Sequence, residues 1–207
     1  MKPLIVFTAL AFAAAAHSQT PQKSTAECGV KPSKYFDMSF REFDQTEGKG
    51  WREIKDQPGC DLAAADMIAQ FREWMVDNAA GLDWHEAQGR AMAGQNDKAL
   101  ELFRRYLAFE KSKPAEHRSD ENILKAEATV AFMEGDLNRL RDVRARLVVL
   151  PKPDGFDQGI ARFKERYPNA TPPTWPLNLG VVDGLIKCFG KPYAEAYGEC
   201  RKSIAGN

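Results

Sequence analysis

The chain has 207 residues, with 29 basic and 29 acidic side chains and a formal net charge of zero. A field this weak argues against nucleic acid or an anionic membrane as the main partner. The length is that of one ordinary domain with a real core, and no segment after the first twenty residues is apolar enough to cross a bilayer.

The chain opens on Lys2, an apolar run over residues 4–16 broken only by Thr8, and the small-x-small triplet Ala16-His17-Ser18. A positive start, a short apolar stretch and such a site predict a secretory signal peptide over residues 1–18. The run falls short of the ~20 apolar residues that span a membrane. Residues 19–207 are then expected to form a single helical domain, exported to the periplasm or secreted, without membrane insertion after cleavage. Glu27 beside Cys28 does not suit a lipid-anchor site. An even cysteine count (Cys28, Cys60, Cys188, Cys200) in an exported chain reads as disulfides, and no C-x-x-C pair offers a redox or zinc site. Three connectivities are open, and locality favours Cys28–Cys60 with Cys188–Cys200.

Residues 28–60 are rich in glycine and proline, with dispersed aromatics Tyr35, Phe36, Phe40, Phe43 and Trp51. Such a segment is expected to be irregular, and to pack onto a core rather than form one. From Asp61, a candidate N-cap, the pattern turns helical: Ala64, Met67/Ile68, Phe71 and Trp74/Met75 recur at three and four. Asn78 to Gly81 should end that helix. A second is predicted over 82–93, ending at Gly94, and a third after Asn96 or Asp97 with Ala99, Leu100, Phe103, Tyr106 and Leu107 inward. Pro114 interrupts the next connector. Ser119 caps a fourth over 120–134, with acids in its first turn. A fifth runs over 137–149. A sixth, over 156–167, carries Ile160, Phe163 and Tyr167. Asn178 caps a seventh over 179–189, and Pro192 opens an eighth to residue 202. Residues 148–150 are the best strand candidate and are short. The expected class is all-α, made of antiparallel helical hairpins. On one straight helix Cys188 and Cys200 would lie ~18 Å apart; a hairpin over 178–202 folded at Gly190 brings them within bridging range.

Two hairpins share a spacing. Ala87, Gly94, Ala99, Phe103 and Tyr106 align with Ala128, Gly135, Leu140, Arg144 and Leu147. Small residues let two helices approach, a glycine turns the chain, and an apolar residue locks the pair. Over residues 82–147 this resembles a short tetratricopeptide array. The usual period is about 34 residues, whereas the two glycines stand 41 apart (135 − 94), and Arg144 stands where a large apolar residue is expected. The Pro114 connector absorbs the excess. Three stretches, Phe43-Asp44-Gln45 with Gly50-Trp51-Arg52, Trp84 to Gln88, and Val182 to Tyr193, are also similar to a group of exported bacterial proteins with tetratricopeptide-like helices. That resemblance implies fold and export; the group has no established activity and supplies no functional residues.

Catalytic and metal motifs are sparse. His85-Glu86 lacks a second histidine four residues on, so it is no zinc-protease motif, and Arg90 is placed to pair with Glu86. Asp183 in an apolar helix is either exposed or buried and paired. Arg139, Arg141, Arg144 and Arg146 point around the fifth helix rather than to one side. No cofactor is expected. Stacked hairpins create a concave face, on which Trp84, Gln88, Met92, Asn122, Lys125, Thr129 and Met133 would be presented. The expected function is therefore an extracytoplasmic protein- or peptide-binding module without catalysis. The alternatives are a small periplasmic hydrolase using His85 or carboxylates, which requires His85 to meet Glu86 or Asp183 in one pocket, and an inhibitory or structural partner of another exported protein, acting through the 28–60 segment. Trp84 and both methionines could equally pack against the neighbouring hairpin.

Overall fold

The computed structural model describes residues 21–75 and 80–202; the predicted signal segment lies outside the described residues. The described chain is all-helical: α1 (Trp51–Lys55), α2 (Asp61–Trp74), α3 (Ala80–Met92), α4 (Asn96–Ser112), α5 (Asp120–Met133), α6 (Leu137–Val148), α7 (Phe156–Arg166), α8 (Leu179–Lys187) and α9 (Tyr193–Glu195), which continues as a wider helical turn over Ala196–Cys200. Helices α2 to α6 pack each on the next, as antiparallel hairpins require.

The two turns aligned in the sequence have the same geometry. Gly94 and Gly135 both adopt left-handed backbone, with φ of 79° and 74°. After α3, the Gly94 amide donates to the Ala91 carbonyl and the Gln95 amide to that of Arg90; after α5, Gly135 donates to Phe132 and Asp136 to Ala131. This is one C-capping motif used twice, and a side chain at either glycine would strain it. Ser119 caps α5 through its hydroxyl, as the sequence predicts, and Asp136 caps α6. Arg144 leaves the apolar register because its guanidinium reaches across to Asp183 on α8. That pair explains both the polar residue in α6 and the carboxylate in an apolar helix.

Other boundaries differ from expectation. Asp61 is the first residue of α2 rather than its cap. Gln95, rather than Asn96 or Asp97, holds the cap position of α4, and its side chain makes no capping hydrogen bond. Asn178 takes left-handed backbone before α8 and donates its amide to Glu121 instead of capping. Pro192 sits one position before α9. Val148 ends α6 and Val149 is exposed, so residues 148–150 form no strand. No residue of α7 is fully buried.

Both disulfides follow the local pairing: Cys28–Cys60, with Cα atoms 5.9 Å apart, and Cys188–Cys200, at 6.2 Å. The first lies in a region that corrects the expectation for residues 28–60. Tyr35, Phe43, Trp51 and Ile54 are buried with Met67, Ile68 and Phe71 of α2 and form a core of their own. Phe43 stacks on Phe71 at 3.7 Å between ring centres. The larger core lies among α3 to α6, α8 and α9. Helix α3 joins the two, since Leu82 belongs to the first while Trp84, Ala87 and Ala91 belong to the second.

The C-terminal hairpin of α8 and α9 does not extend the array. It packs against α3, α5 and α6. Tyr193, at 2% exposure, sits 5.9 Å from the Phe103 ring and 6.3 Å from that of Phe132. The face expected to be open is thus covered by the chain itself. Gly184 makes the hairpin tight, because a Cβ there would stand 2.9 Å from the Ala196 carbonyl oxygen.

Candidate functional site

A cleft opens where α1, α2, α3 and the C-terminal hairpin meet. Trp51 and Lys55 come from α1, Asp61, Ala64, Ala65 and Ile68 from α2, His85, Gln88, Gly89 and Met92 from α3, and Tyr197 from the C-terminal hairpin. Its volume is about 420 Å3, open solvent at the mouth included. Small residues make the floor: a Cβ on Gly89 would lie 2.8 Å from the Asp61 carbonyl oxygen and 3.0 Å from the Ala65 Cβ. The close α2–α3 crossing leaves room above it, which Trp51, Ile68, Met92 and Tyr197 line with apolar and aromatic surface. This is the usual composition of a ligand site, mostly apolar with a few placed polar groups.

The polar groups are of two kinds. His85 and Gln88 lie side by side on α3. His85 packs on the Trp51 ring at 4.7 Å, and its Nε2 stands 3.6 Å from Asp44 Oδ1, beyond hydrogen-bond range. Buried Asp44 accepts instead from Trp51 Nε1 at 2.9 Å and from the Gln45 amide. Burial drives the His85 pKa down to about 4, against the pull of Asp44 and helped by the Arg52 and Lys125 charges. The imidazole is neutral at pH 7. Asp61 and Lys55 hold the rim. Burial raises the Asp61 pKa, only partly offset by Lys55.

The neutral His85 makes stability pH-dependent. Its folded pKa lies below the ordinary 6.5, so the unfolded chain binds the proton more readily, and stability falls as pH drops from about 6.5 towards 4. The expected loss is on the order of 2–3 kcal/mol. Urea unfolding across that window should show it for the wild type, and His85→Gln should remove most of it.

The seven residues expected on the concave face are divided. Gln88 and Met92 line the cleft. Trp84 is buried against Phe103 and Tyr106, each 5.0 Å away, and Lys125 lies over its ring at 4.4 Å, with an ammonium pKa lowered by burial. Thr129 is fully buried and donates its hydroxyl to the Lys125 carbonyl, so it faces the core. Met133 is half-buried beside Phe189 and Tyr193 in a separate shallow depression, and Asn122 is also away from the cleft. One groove containing all seven does not form.

The residues weighed for hydrolysis are dispersed too. Glu86 is buried between Arg72 and Arg90, at 2.7 Å from each, in the pairing with Arg90 that the spacing predicts. Asp83 extends this cluster to Arg72 and Arg105. Asp183 is on the far hairpin with Arg144. Of the arginines on α6, Arg139 pairs with Glu134 and Arg146 with Glu127, so the run is split among different neighbours.

Comparison with family models, with curated proteins and with solved structures finds no match for the chain. The site must be read from its own chemistry. The sequence offers Trp51 only as part of the 28–60 segment and does not by itself mark Lys55, Asp61 and Tyr197 as belonging to a site. The available signals were the small residues Ala64, Ala65 and Gly89 on facing helices, and the tyrosines Tyr193 and Tyr197 four apart in the terminal helix.

Proposed function

We propose that this protein is an extracytoplasmic protein- or peptide-binding module that works without catalysis, and that the cleft between α2 and α3 is its receiving face. The single observation that carries the reading is the cleft's lining: aromatic and flexible apolar side chains around a floor of small residues, with neutral His85 and Gln88 as hydrogen-bonding groups inside. Trp, Tyr and Met surfaces of this kind hold a partner's side chain well. Among the described residues no Ser, Thr or Cys lines the cleft, and His85 has no hydrogen-bonded carboxylate to orient it, so a hydrolase with a hydroxyl or thiol nucleophile lacks its usual parts. Export is supported by the two disulfides, which persist in oxidising compartments, and by the N-terminal pattern. A tetratricopeptide-like arrangement is supported by the matching turn hydrogen bonds at Gly94 and Gly135.

The test is selection from a random linear peptide library on the oxidised protein. Enriched peptides should bind Gln88→Ala/Met92→Ala at least about tenfold more weakly, with the circular-dichroism spectrum unchanged. Full retention of binding by that variant would remove the cleft from the account.

A further inference from the structure

A second face carries a local surplus of positive charge. Between α4 and α5, beside the start of α6, lies an open groove of about 290 Å3. It is lined by Arg104, Leu107, Ala108 and Lys111 of α4, Val130 of α5 with its C-cap Glu134, and Arg139 of α6. It shares no lining residue with the cleft. Three cations therefore border one carboxylate, in a chain whose net charge is zero. Both oxygens of Glu134 are already taken: Arg104 donates Nε and Nη2 to Oε1, and Arg139 donates Nη1 to Oε2. Among the described residues, Arg104 Nη1 and Arg139 Nε and Nη2 have no hydrogen-bond partner. Lys111 pairs with Glu127, which Arg146 also holds while approaching Asp142 at 3.6 Å. The side chains of Arg104, Lys111 and Arg139 are 57, 50 and 39% exposed, so their remaining donors can be reached from outside. Two arginines held together by one shared carboxylate repel each other, and a second carboxylate would relieve that repulsion. Arg104 and Lys111 stand two turns apart on α4, ~10.5 Å along its axis, with Leu107 and Ala108 between them on the same face. An extended strand repeats its same-side groups every ~6.8 Å and misses that spacing. A helix laid against α4 matches it at i, i+3 or i+4, and i+7.

We infer that this groove docks an acidic amphipathic helix of a partner protein, with one carboxylate on Arg104 and Arg139, a second at i+7 on Lys111, and an apolar side chain at i+3 or i+4 against Leu107, Ala108 and Val130. The docking surface is separate from the cleft and does not depend on what the cleft receives. A free anion would use the arginines but leave the apolar floor bare, whereas a helix covers both. Exposed pairs of this kind contribute little each, so the contact is weak, salt-dependent and selective for charge.

The probe is a synthetic helical peptide with glutamates at i and i+7 and leucine at i+3, beside the same peptide carrying glutamines. Fluorescence anisotropy follows the binding of each to the oxidised full chain at low salt. The glutamate peptide should bind about tenfold more tightly, and high salt should shrink the difference. Arg104→Gln/Lys111→Gln leaves Glu134 with Arg139 and Glu127 with Arg146, and should bind both peptides alike. Ala108→Glu, at an exposed helical position, should weaken the glutamate peptide at least about tenfold with the circular-dichroism spectrum unchanged. Equal binding of the two peptides by the wild type, a preference kept by the double variant, or failure of the glutamate peptide to bind would each overturn the inference. Sedimentation of the protein alone as a dimer that Ala108→Glu breaks would assign the groove to a second copy of the chain, and would overturn it too.

Discussion

Gly50→Ala is expected to destabilise the protein by about 3 kcal/mol or more, the largest effect of a methyl added at any glycine among the described residues. Gly50 has φ of 58° and ψ of −137°, a conformation that residues with a Cβ rarely adopt. A Cβ there would also lie 2.0 Å from the carbonyl oxygen of Phe43, a backbone atom that cannot rotate aside. Phe43 is fully buried, stacked on Phe71 and edge-on to Tyr35. Relief would require the small core to open. At roughly 2–4 °C per kcal/mol for a chain of this size, the melting point should fall by about 10 °C. Gly48→Ala is the control: its φ is 69° but nothing lies within 4 Å, so it should lose only about 1 kcal/mol. Equal losses at the two positions would show that the Phe43 contact is not the cause.

Removing the Cys28–Cys60 bridge, as Cys28→Ser/Cys60→Ser, should cost about 3–4 kcal/mol, and removing Cys188–Cys200 about 3. The bridges close loops with separations of 32 and 12 residues, and loop closure restricts the unfolded chain more when the loop is longer. The first bridge also ties residues 28–60, which hold few backbone ladders, to the start of α2. Urea unfolding of the oxidised wild type and the two double variants gives the comparison. Loss of the first bridge should also weaken binding at the cleft, because Lys55 and Asp61 flank Cys60 on the chain. A smaller loss for the first bridge than for the second would contradict the loop-length account.

Much of the fold is legible in the sequence because it is local. The 3.6-residue periodicity marks α2 to α6, Ser119 and its acids mark a helix start, and Gly94 and Gly135 mark the two turns. Of the three disulfide connectivities the sequence leaves open, the structure has the one that locality favours. The site is less legible because it is made of distant residues. Trp51, Asp61, His85 and Tyr197 come from four elements, and nothing in their individual surroundings announces that they meet. The periodic signal also misled at one point. Helical spacing says which residues of α3 and α5 share a face, but not what covers that face, and here Tyr193 and its neighbours do. Trp84, covered by Phe103, Tyr106 and Lys125, and fully buried Thr129 serve the core, while Gln88 and Met92, nearer the small-residue crossing of α2 and α3, reach the cleft.

The most direct test of the receiving face is an amide and indole NMR map of the isotopically labelled, oxidised protein, titrated with the strongest library peptide. The account predicts that shifts concentrate on the Trp51 indole and the amides of Asp61, His85, Gln88, Met92 and Tyr197. Shifts centred instead on Asn122, Lys125 and Met133, with the cleft silent, would contradict it.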